Sequence, residues 1–538
     1  MGKRNIINSL KKVRGAVLPL LILITILMVG CNKDKINTVQ EEHKSEKDTL
    51  YVPVTQKGGM EKNMKEEVIP LYLEGEQQII TTVQAEEGIL TGNVKIETKK
   101  SDYIGDGYVT GFHDSGDSCT MTVLIEADGF YDFYFTIAST GGYKSNFVLA
   151  DGERLGEVEV TEKGFTEVSF DRTYLTKGEH KVTIASHWGY IVLDQLQVKT
   201  SKELNKEIYK VSPNLINENA TDNTKRLMSY LTDIYGDYFL SGQYGSTGRY
   251  GKEFAVIKKA TGVVPAILGL DFIEYTPSRV AHGSSGNQTE LAIDFWKQGG
   301  IVTFCWHWNA PEKYLTKEWY RGFYTEATNI DLKKIMDGQD AEGYRLLLRD
   351  IEAIAKELLI LQEAEVPILW RPLHEASGGW FWWGNKGAEA FKELYILLYE
   401  TLTKEYGLNN LIWVWNGQNK DWYPGDEYVD IIGEDIYAGE KVHTSQITRY
   451  LRAQEYTDKR KLVYLTENGS LFDPELALRD GAMWGIWCTW GGEFVAKDSA
   501  IYMLSEQYTT EEMLKQVYSH KSVLTLEKLP DLTTYPIR

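Results

Sequence analysis

The sequence has little of three things that would each point to a particular class of protein. Of its 538 residues only 13 are Pro, which excludes a Pro-rich fibrous protein. Only four are Cys, which excludes a disulfide-stapled scaffold and a multi-zinc architecture. Positive charge is in deficit, because 58 Lys and Arg oppose 77 Asp and Glu for a net charge of −19, and this argues against a nucleic-acid partner. The 43% hydrophobic and 25% charged content is typical of a globular chain.

The first thirty residues contain no Asp or Glu. Five Lys and Arg precede an apolar run over residues 16–30, which is the pattern of a secretory signal peptide (residues 1–30) and is too short for a spanning helix. The run ends in Leu-Met-Val-Gly before Cys31, and this stretch resembles a bacterial lipobox, in which the Cys receives a lipid. We therefore expect an exported protein, anchored to a membrane at the cell surface through Cys31. An uncleaved N-terminal anchor is the alternative.

Composition divides the rest of the chain into segments. Residues 31–75 are rich in Lys, Glu, Asp, Gln and Asn, which predicts a flexible linker, with a local helix around 62–68 as the alternative. Short alternating or β-branched stretches between Gly and Asp turns over residues 76–200 predict an all-β sandwich. After a second linker at 201–221, alternating strand and helix patterns over 222–538 predict a (β/α)₈ TIM barrel. An open doubly wound sheet is the alternative, but no Gly-rich nucleotide loop follows any of the strands.

The predicted barrel has polar residues at the ends of apolar strands, where a barrel carries its chemistry. Eight apolar stretches are the strand candidates: 238–243, 263–271, 300–308, 366–375, 411–416, 429–437, 461–467 and 483–490. Their last residues include Gln243, Asp271, His307, Glu375, Asn416, Asp435 with Tyr437, Glu467 and Trp490. Glycoside hydrolysis needs two carboxyl groups, so Glu375 and Glu467 are the candidate pair, with a structural ion pair as the alternative for either one.

Tryptophan is concentrated in the predicted barrel, where 14 of the 15 Trp lie between Trp296 and Trp490. The clusters at 306–308 and 380–383 suggest flat rings exposed along a sugar-binding groove, because neighbouring residues on a strand point in opposite directions. Core packing is the alternative for each Trp. Of the four Cys, the three beyond Cys31 are odd in number, and we expect them to be buried thiols.

Several stretches of the predicted barrel resemble glycoside hydrolase family 26. Residues 370–375 read Trp-Arg-Pro-Leu-His-Glu and residues 378–384 read Gly-Gly-Trp-Phe-Trp-Trp-Gly, which looks like the acid/base signature of that family. The resemblance extends through residues 239–244, 306–308, 423–425, 435–437 and 465–469, and covers roughly 222–532. Asn468 departs from the aromatic residue frequently found after the nucleophile. The resemblance implies a retaining barrel enzyme, in most members an endo-β-1,4-mannanase.

The same resemblance implies roles for individual residues. Glu375 would be the general acid/base, which requires its site to raise its pKa, and Glu467 would be the nucleophile. The residues implied around the central sugar are His307, His374, Trp380, Tyr437 and Trp490, with Tyr437 hydrogen-bonded to the nucleophile. The residues themselves leave His374 open between a strand-end histidine and a contact to a sugar hydroxyl. No catalytic cofactor is expected, and we expect a monomer that acts on β-mannan. The alternatives are a licheninase, a β-1,3-xylanase or a non-catalytic glycan-binding lipoprotein.

The predicted sandwich resembles carbohydrate-binding module family 35. Gln84-Ala85-Glu86, residues 105–109 and residues 188–194 carry this resemblance. It implies a structural calcium ion held by Glu86 and Asp194, with Gln84 at a position where Glu is usual. Ordinary strand-end acids without an ion are the alternative. Tyr108 and Trp188 are interpreted as loop aromatics that stack on sugar, with core packing as the alternative.

Overall fold

The computed structural model describes residues 68–245, 250–499 and 502–538. The predicted signal peptide, Cys31 and the predicted linker as far as residue 67 lie outside the described residues. Within the described ranges, no helix combines the length and the apolar composition that crossing a bilayer requires.

The first domain is a sandwich of two antiparallel sheets. Its strands are β1 (Ile79–Gln84), β2 (Ile89–Thr91), β3 (Lys95–Glu97), β4 (Tyr108–Thr110), β5 (Ser118–Ile125), β6 (Gly129–Ser139), β7 (Lys144–Ala150), β8 (Glu153–Val160), β9 (Thr166–Leu175), β10 (Gly178–Ser186) and β11 (Ile191–Thr200). One sheet has the order β3-β4-β11-β6-β9, with β1 also paired to β11, and the other has the order β2-β5-β10-β7-β8. Alternate residues of β5 are buried, as a strand with one face on the core requires.

The second domain is a closed barrel of eight parallel strands, β13 to β20 in sequence order. The strands of this domain are β12 (Phe239–Leu240), β13 (Gly242–Tyr244), β14 (Ile267–Asp271), β15 (Ile301–Trp306), β16 (Ile368–Pro372), β17 (Leu411–Trp415), β18 (Ile431–Ile436), β19 (Leu462–Asn468), β20 (Trp487–Thr489) and β21 (Val523–Leu524). The predicted TIM barrel preceded by an all-β sandwich is therefore confirmed. The first strand candidate is split, because β12 pairs with β21 outside the barrel and only β13 joins it.

Helices surround the barrel strands. They are α1 (Asp222–Ile234), α2 (Gly251–Thr261), α3 (Pro277–Val280), α4 (Gln288–Lys297), α5 (Leu332–Met336), α6 (Ala341–Glu363), α7 (Ala388–Tyr399), α8 (Ile447–Gln454), α9 (Pro474–Asp480) and α10 (Glu511–Ser519). The longest, α6, begins where the Asp340 side chain accepts a hydrogen bond from the backbone N–H of Gly343. Its buried residues Leu347, Ile351, Ile354 and Leu358 recur every three to four positions, so one face covers the barrel.

Both predicted linkers contain residues that pack on the barrel. Leu71, Leu204 and Ile208 are buried in the same hydrophobic cluster as the barrel strands. The two segments also bond to each other, since the backbone N–H of Asn205 donates to the carbonyl of Leu71 at 3.0 Å. The prediction that the flexible linker extends to residue 75 is therefore wrong for its last residues, because apolar side chains in this stretch have a core to join.

The sandwich is docked against the barrel through polar contacts. Arg172 on β9 donates from Nε to the carbonyl of Asp480 at the end of α9, at 2.7 Å. Arg452 on α8 forms an ion pair of 3.0 Å with Glu159 on β8. These contacts involve the helices that follow β18 and β19, so the sandwich lies beside the sixth and seventh strands of the barrel.

Candidate active site

The two predicted glutamates meet at the carboxyl ends of the barrel strands. Glu375 lies just beyond β16, and Glu467 lies near the end of β19. One carboxylate oxygen from each of Glu375, Glu467 and Asp435 lies within 4.8 Å of the other two. Retaining glycosidases place their two carboxyl groups about 5–5.5 Å apart, whereas inverting enzymes leave about 6.5–9.5 Å for a water molecule. The spacing of the pair therefore suits double displacement.

Glu375 occupies a site that favours its protonated form. Burial raises its pKa well above the ordinary value, and the nearby charges of Asp435 and Glu467 add to this. Trp380 donates from Nε1 to Glu375 Oε2 at 2.8 Å. The backbone N–H of Glu375 donates to the carbonyl of Asn416 at 2.7 Å, which ties it to the neighbouring strand. The expectation that the site raises the pKa of Glu375 agrees with this environment.

The segment around Glu375 has an unusual backbone. Leu373 and Glu375 both have left-handed conformations, with φ of 54° and 53°, and such non-glycine residues cost about 1–3 kcal/mol each. Beyond them the chain folds back closely. A Cβ on Gly378 would lie 2.0 Å from the Trp380 ring, and one on Gly384 would lie 1.9 Å from the carbonyl oxygen of Ala376. The glycines of the sequence signature therefore permit the approach of Trp380 to the acid.

Glu467 is surrounded by donors. Tyr437 donates from its hydroxyl to Glu467 Oε2 at 2.6 Å, which is the contact that the resemblance implied. Arg371 donates to Glu467 Oε1, and also to Tyr244 at 2.9 Å. Burial and the Glu467 charge raise the pKa of Tyr437, so this hydroxyl keeps its proton. A carboxyl group held by two such donors is suited to act as a nucleophile.

Arg371 is a residue of this site for which the sequence patterns predict no role. It is fully buried and donates to Asp435 Oδ2 at 2.7 Å as well as to Glu467. Burial opposes its charge, but Asp435 and then Tyr244 and Glu467 raise its pKa well above the ordinary value. The sequence feature that could have identified Arg371 is its position as a charged residue inside an apolar strand. A buried charge needs a charged partner, so such a residue indicates a nearby carboxylate.

Asp435 is the third carboxyl group of the cluster. Burial raises its pKa to about 7, against the opposite effect of Arg371. Its Oδ1 accepts hydrogen bonds from Asn416 Nδ2 at 2.9 Å and from Thr466 Oγ1 at 2.6 Å. It therefore links the fifth, sixth and seventh strands of the barrel beneath the glutamate pair.

The two predicted histidines form a chain. His307 Nδ1 lies 2.6 Å from Asp271 Oδ2, and His307 Nε2 lies 3.2 Å from His374 Nε2. His374 is only 1% exposed, and burial followed by the charge of Arg371 lowers its pKa well below the ordinary value. Of the two interpretations of His374, the structure favours the strand-end histidine, because a neutral buried ring supports His307 and offers little surface to a sugar.

Three predicted aromatic residues lie at the mouth of the site. Trp380 is 48% exposed and Tyr437 is 44% exposed, and both bond to a catalytic candidate. Trp490 is partly buried, with its ring 4.7 Å from that of Tyr244 and 5.7 Å from that of His307. The predicted residues His307, Trp380, Tyr437 and Trp490 therefore do come together around the glutamate pair.

Most of the Trp clusters belong to the core. Trp306 and Trp308 are fully buried with rings stacked at 4.2 Å, and Trp308 Nε1 donates to Asp350 on α6. Trp382 and Trp383 are also fully buried. The expectation that these clusters line a groove is wrong except for Trp380, because their other four indole rings have no exposed surface.

The two aromatic candidates of the sandwich differ. Tyr108 lies on β4 rather than in a loop, and it is buried with its ring 5.9 Å from that of Phe165. The interpretation of Tyr108 as a sugar-stacking loop residue is therefore wrong. Trp188 lies in the loop before β11 and is 64% exposed, so its ring is accessible.

The predicted calcium ligands converge around one loop of the sandwich. A Cβ on Gly105 would lie 2.6 Å from Glu86 Oε1 and 3.0 Å from Gln84 Oε1. Gln84 Oε1 and Glu86 Oε2 are buried and have no hydrogen-bond partner among the described residues. Burial, with the charge of Glu86 adding, raises the pKa of Asp194 to about 6. Unpartnered oxygens and uncompensated negative charge fit a hard divalent cation such as Ca²⁺.

Comparison with known proteins adds independent findings. A family model described as glycosyl hydrolase family 26 matches residues 216–526, and one described as carbohydrate binding module (family 35) matches residues 81–201. A mannan endo-1,4-beta-mannosidase of Thermothelomyces thermophilus is 38% identical over 453 residues, covering 84% of this chain and 90% of that protein. A GH26-CBM35 beta-(1,4)-mannanase from Podospora anserina, known from a crystal structure, is 36% identical with a TM-score of 0.58. The match covers 84% of this chain and 99% of that chain. The crystal structure of a ruminal GH26 endo-beta-1,4-mannanase is 28% identical with a TM-score of 0.60, and the match covers 85% of this chain and 99% of that chain.

Proposed function

Because this chain belongs to glycosyl hydrolase family 26, we propose that it is an endo-β-1,4-mannanase that cleaves mannan with retention of configuration. The observation that carries the assignment is the contrast between two carboxyl groups whose oxygens approach within 4.8 Å, which leaves less room than an inverting pair needs. Glu467 faces two donors, whereas Glu375 sits in a site that raises its pKa. One group is thereby prepared to attack and the other to give a proton.

The reaction proceeds in two displacements. Glu467 attacks the anomeric carbon while Glu375 gives its proton to the leaving glycosidic oxygen, so the C–O bond breaks as the glycosyl–enzyme ester forms. The ionised Glu375 then takes a proton from water, which attacks the same carbon and releases Glu467. Tyr437 and Arg371 keep the nucleophile in place through both steps.

Substitution of each glutamate by alanine tests the roles. We expect Glu467→Ala to be inactive on every substrate, because the group that forms the ester is absent. Glu375→Ala should lose about 10²–10⁴-fold on mannan, yet still form the ester from an aryl β-mannoside whose phenolate leaves without a proton. Azide should then restore its turnover and yield a β-mannosyl azide.

An exposed glutamate provides the control for these variants. Glu389→Ala on α7 should keep wild-type activity, since its side chain faces solvent. An α-configured azide product, or rescue confined to Glu467→Ala, would reverse the assignment. Products from mannan, galactomannan, lichenan and β-1,3-xylan would test the substrate, and faster release from lichenan or β-1,3-xylan would contradict mannanase specificity.

We also propose that the protein is exported and held at a membrane by a lipid on Cys31. The support is the sequence alone: a basic start, an apolar run and a lipobox-like ending before Cys31. The variant Cys31→Ala should lose lipid labelling and partition away from the membrane fraction, with activity per folded molecule unchanged. Unaltered labelling and detergent partitioning would contradict the anchor.

We further propose that the sandwich holds a structural Ca²⁺ ion between Gln84, Glu86 and Asp194 and binds glycan through Trp188. The side chains of Gln84 and Glu86 meet at Gly105 and each has one buried oxygen without a hydrogen-bond partner among the described residues, which supports the ion. The exposed ring of Trp188 supports sugar stacking. Calorimetric titration of metal-free protein with Ca²⁺ should show binding that Asp194→Ala removes. No heat of binding, or equal binding by the variant, would contradict the ion.

Trp188→Ala should weaken retention of the protein on mannan, and unchanged retention would contradict the role of that ring.

A further inference from the structure

One contact joins the sandwich to the rim of the active site. Arg154 on the edge strand β8 donates from Nη1 to the carbonyl oxygen of Ala438 at 3.0 Å. Its guanidinium group lies 3.7 Å from the ring centroid of Phe147 on β7, which holds the side chain against its own domain. Ala438 directly follows Tyr437, whose hydroxyl donates to Glu467. Arg154 of the sandwich is therefore connected to the nucleophile through its hydrogen bond to Ala438, the adjoining residue Tyr437 and the hydrogen bond from Tyr437 to Glu467.

The loop that carries Tyr437 is held from two sides. On the sandwich side a Cβ on Gly439 would lie 2.6 Å from Arg154 Nη1, so the absence of a side chain there permits the close approach. Gly439 has a φ of 109°, a conformation that favours glycine. On the barrel side Ser470 donates from Oγ to the carbonyl of Gly439 at 2.5 Å. The peptide groups next to Tyr437 are thus fixed between Arg154 and the segment after β19.

Two other sandwich–barrel contacts do not involve this loop. Arg172 donates to the carbonyl of Asp480 on α9, and Arg452 pairs with Glu159 from α8. The contact of Arg154 therefore has a separate consequence from docking the two domains. It reaches the carbonyl group directly beside Tyr437.

We propose that Arg154 is a positioning residue for hydrolysis: by holding the Ala438 carbonyl, it keeps the Tyr437 hydroxyl in line with Glu467. The proposal rests on the proposed function, because it acts through the nucleophile. It differs from a role of the sandwich in retaining polysaccharide. A positioning effect lowers kcat on every substrate, whereas lost glycan retention raises KM for the polymer alone.

The test uses the full chain and two substrates, mannan and a short aryl β-mannobioside. Arg154→Ala should lower kcat about tenfold on both, equivalent to about 1.4 kcal/mol, with KM changed less than twofold. Arg154→Lys keeps one donor for the Ala438 carbonyl and should recover part of the loss. Arg172→Ala is the matched control, since it removes an arginine–carbonyl contact at the same domain interface, and its kcat should be unchanged.

Combination with Tyr437→Phe separates positioning from a general structural effect. Without the hydroxyl there is nothing to orient, so Arg154→Ala and Arg154→Lys should each cause no further loss in the Tyr437→Phe background. Equal losses in both backgrounds, a loss matched by Arg172→Ala, or an effect limited to KM on mannan would overturn the proposal. The Lys variant gives the same comparison if Arg154→Ala fails to fold. Failure of the proposed function is distinct, since the wild-type protein would then hydrolyse neither substrate.

Discussion

At the scale of single residues, the site places one buried positive charge against two of its three carboxyl groups. Arg371 donates to Asp435 and to Glu467, and Glu375 receives its hydrogen bond from the neutral Trp380 instead. The guanidinium group therefore contacts the carboxyl group that attacks carbon and not the one that gives a proton. Glu375 is left with burial and two neighbouring carboxylates, which raise its pKa.

Replacement of Trp380 by Phe should change the pH dependence of the reaction. The indole N–H stabilises the ionised form of Glu375 and so lowers its pKa, which means that its removal raises the pKa further. The acid is active when protonated, so the alkaline limb of the kcat/KM profile should move to higher pH. Trp490→Phe, which removes an indole that does not bond to Glu375, should leave the limb in place. A limb that moves to lower pH in Trp380→Phe would contradict the assignment of Glu375 as the acid.

The sequence identifies the reacting side chains better than their supports. Glu375, Glu467 and Tyr437 lie in recognisable stretches, and all three are at the site. The role of Arg371 depends on the register of three strands, because its partners come from β18 and β19 as well as β13. A linear pattern contains no information on that register. Tyr108 is wrongly interpreted as an exposed loop residue because the strand that buries it, β4, has only three residues and cannot be recognised in the sequence.

At the scale of elements, strand length and burial decide what the sequence can predict. The barrel strands after β13 appear as apolar runs, because parallel strands inside a ring of helices are buried on both faces. The sandwich strands β2, β3 and β4 have three residues each, too few to show an alternation. The short helical turn at Lys206–Tyr209 also has too few residues to show a period, and the sequence prediction places it within the linker at 201–221.

Ile208 within that turn should contribute to stability as a core residue. It is fully buried against the barrel, so Ile208→Ala should lower the free energy of unfolding by about 2–5 kcal/mol. The exposed residue Lys206 in the same turn provides the control, since Lys206→Ala should change the free energy of unfolding by less than about 0.5 kcal/mol. Urea unfolding of both variants checks this. A change below about 0.5 kcal/mol for Ile208→Ala would mean that the segment behaves as a true linker.

At the scale of the whole molecule, the two domains share contacts that link their stabilities. Arg172 and Arg452 connect the sandwich to the helices after the sixth and seventh barrel strands, and Leu204 anchors the connection in the barrel core. A ligand that binds only the native sandwich therefore acts on the barrel through this interface. Because 14 of the 15 Trp lie beyond residue 295, Trp fluorescence reports on the barrel.

Calcium should consequently raise the unfolding midpoint measured by Trp fluorescence, although its proposed ligands lie in the sandwich. At a free concentration 100 times its Kd, one ion stabilises the domain that binds it by about 2.7 kcal/mol. The contacts between the two domains transmit part of this stabilisation to the barrel. The double variant Arg172→Ala with Arg452→Ala should therefore show a smaller rise of the Trp unfolding midpoint on adding calcium, at unchanged calcium affinity. If calcium binds and protects sandwich amides from exchange while the Trp midpoint stays fixed, the interface does not couple the domains. An equal shift in the double variant would mean that other contacts carry the coupling.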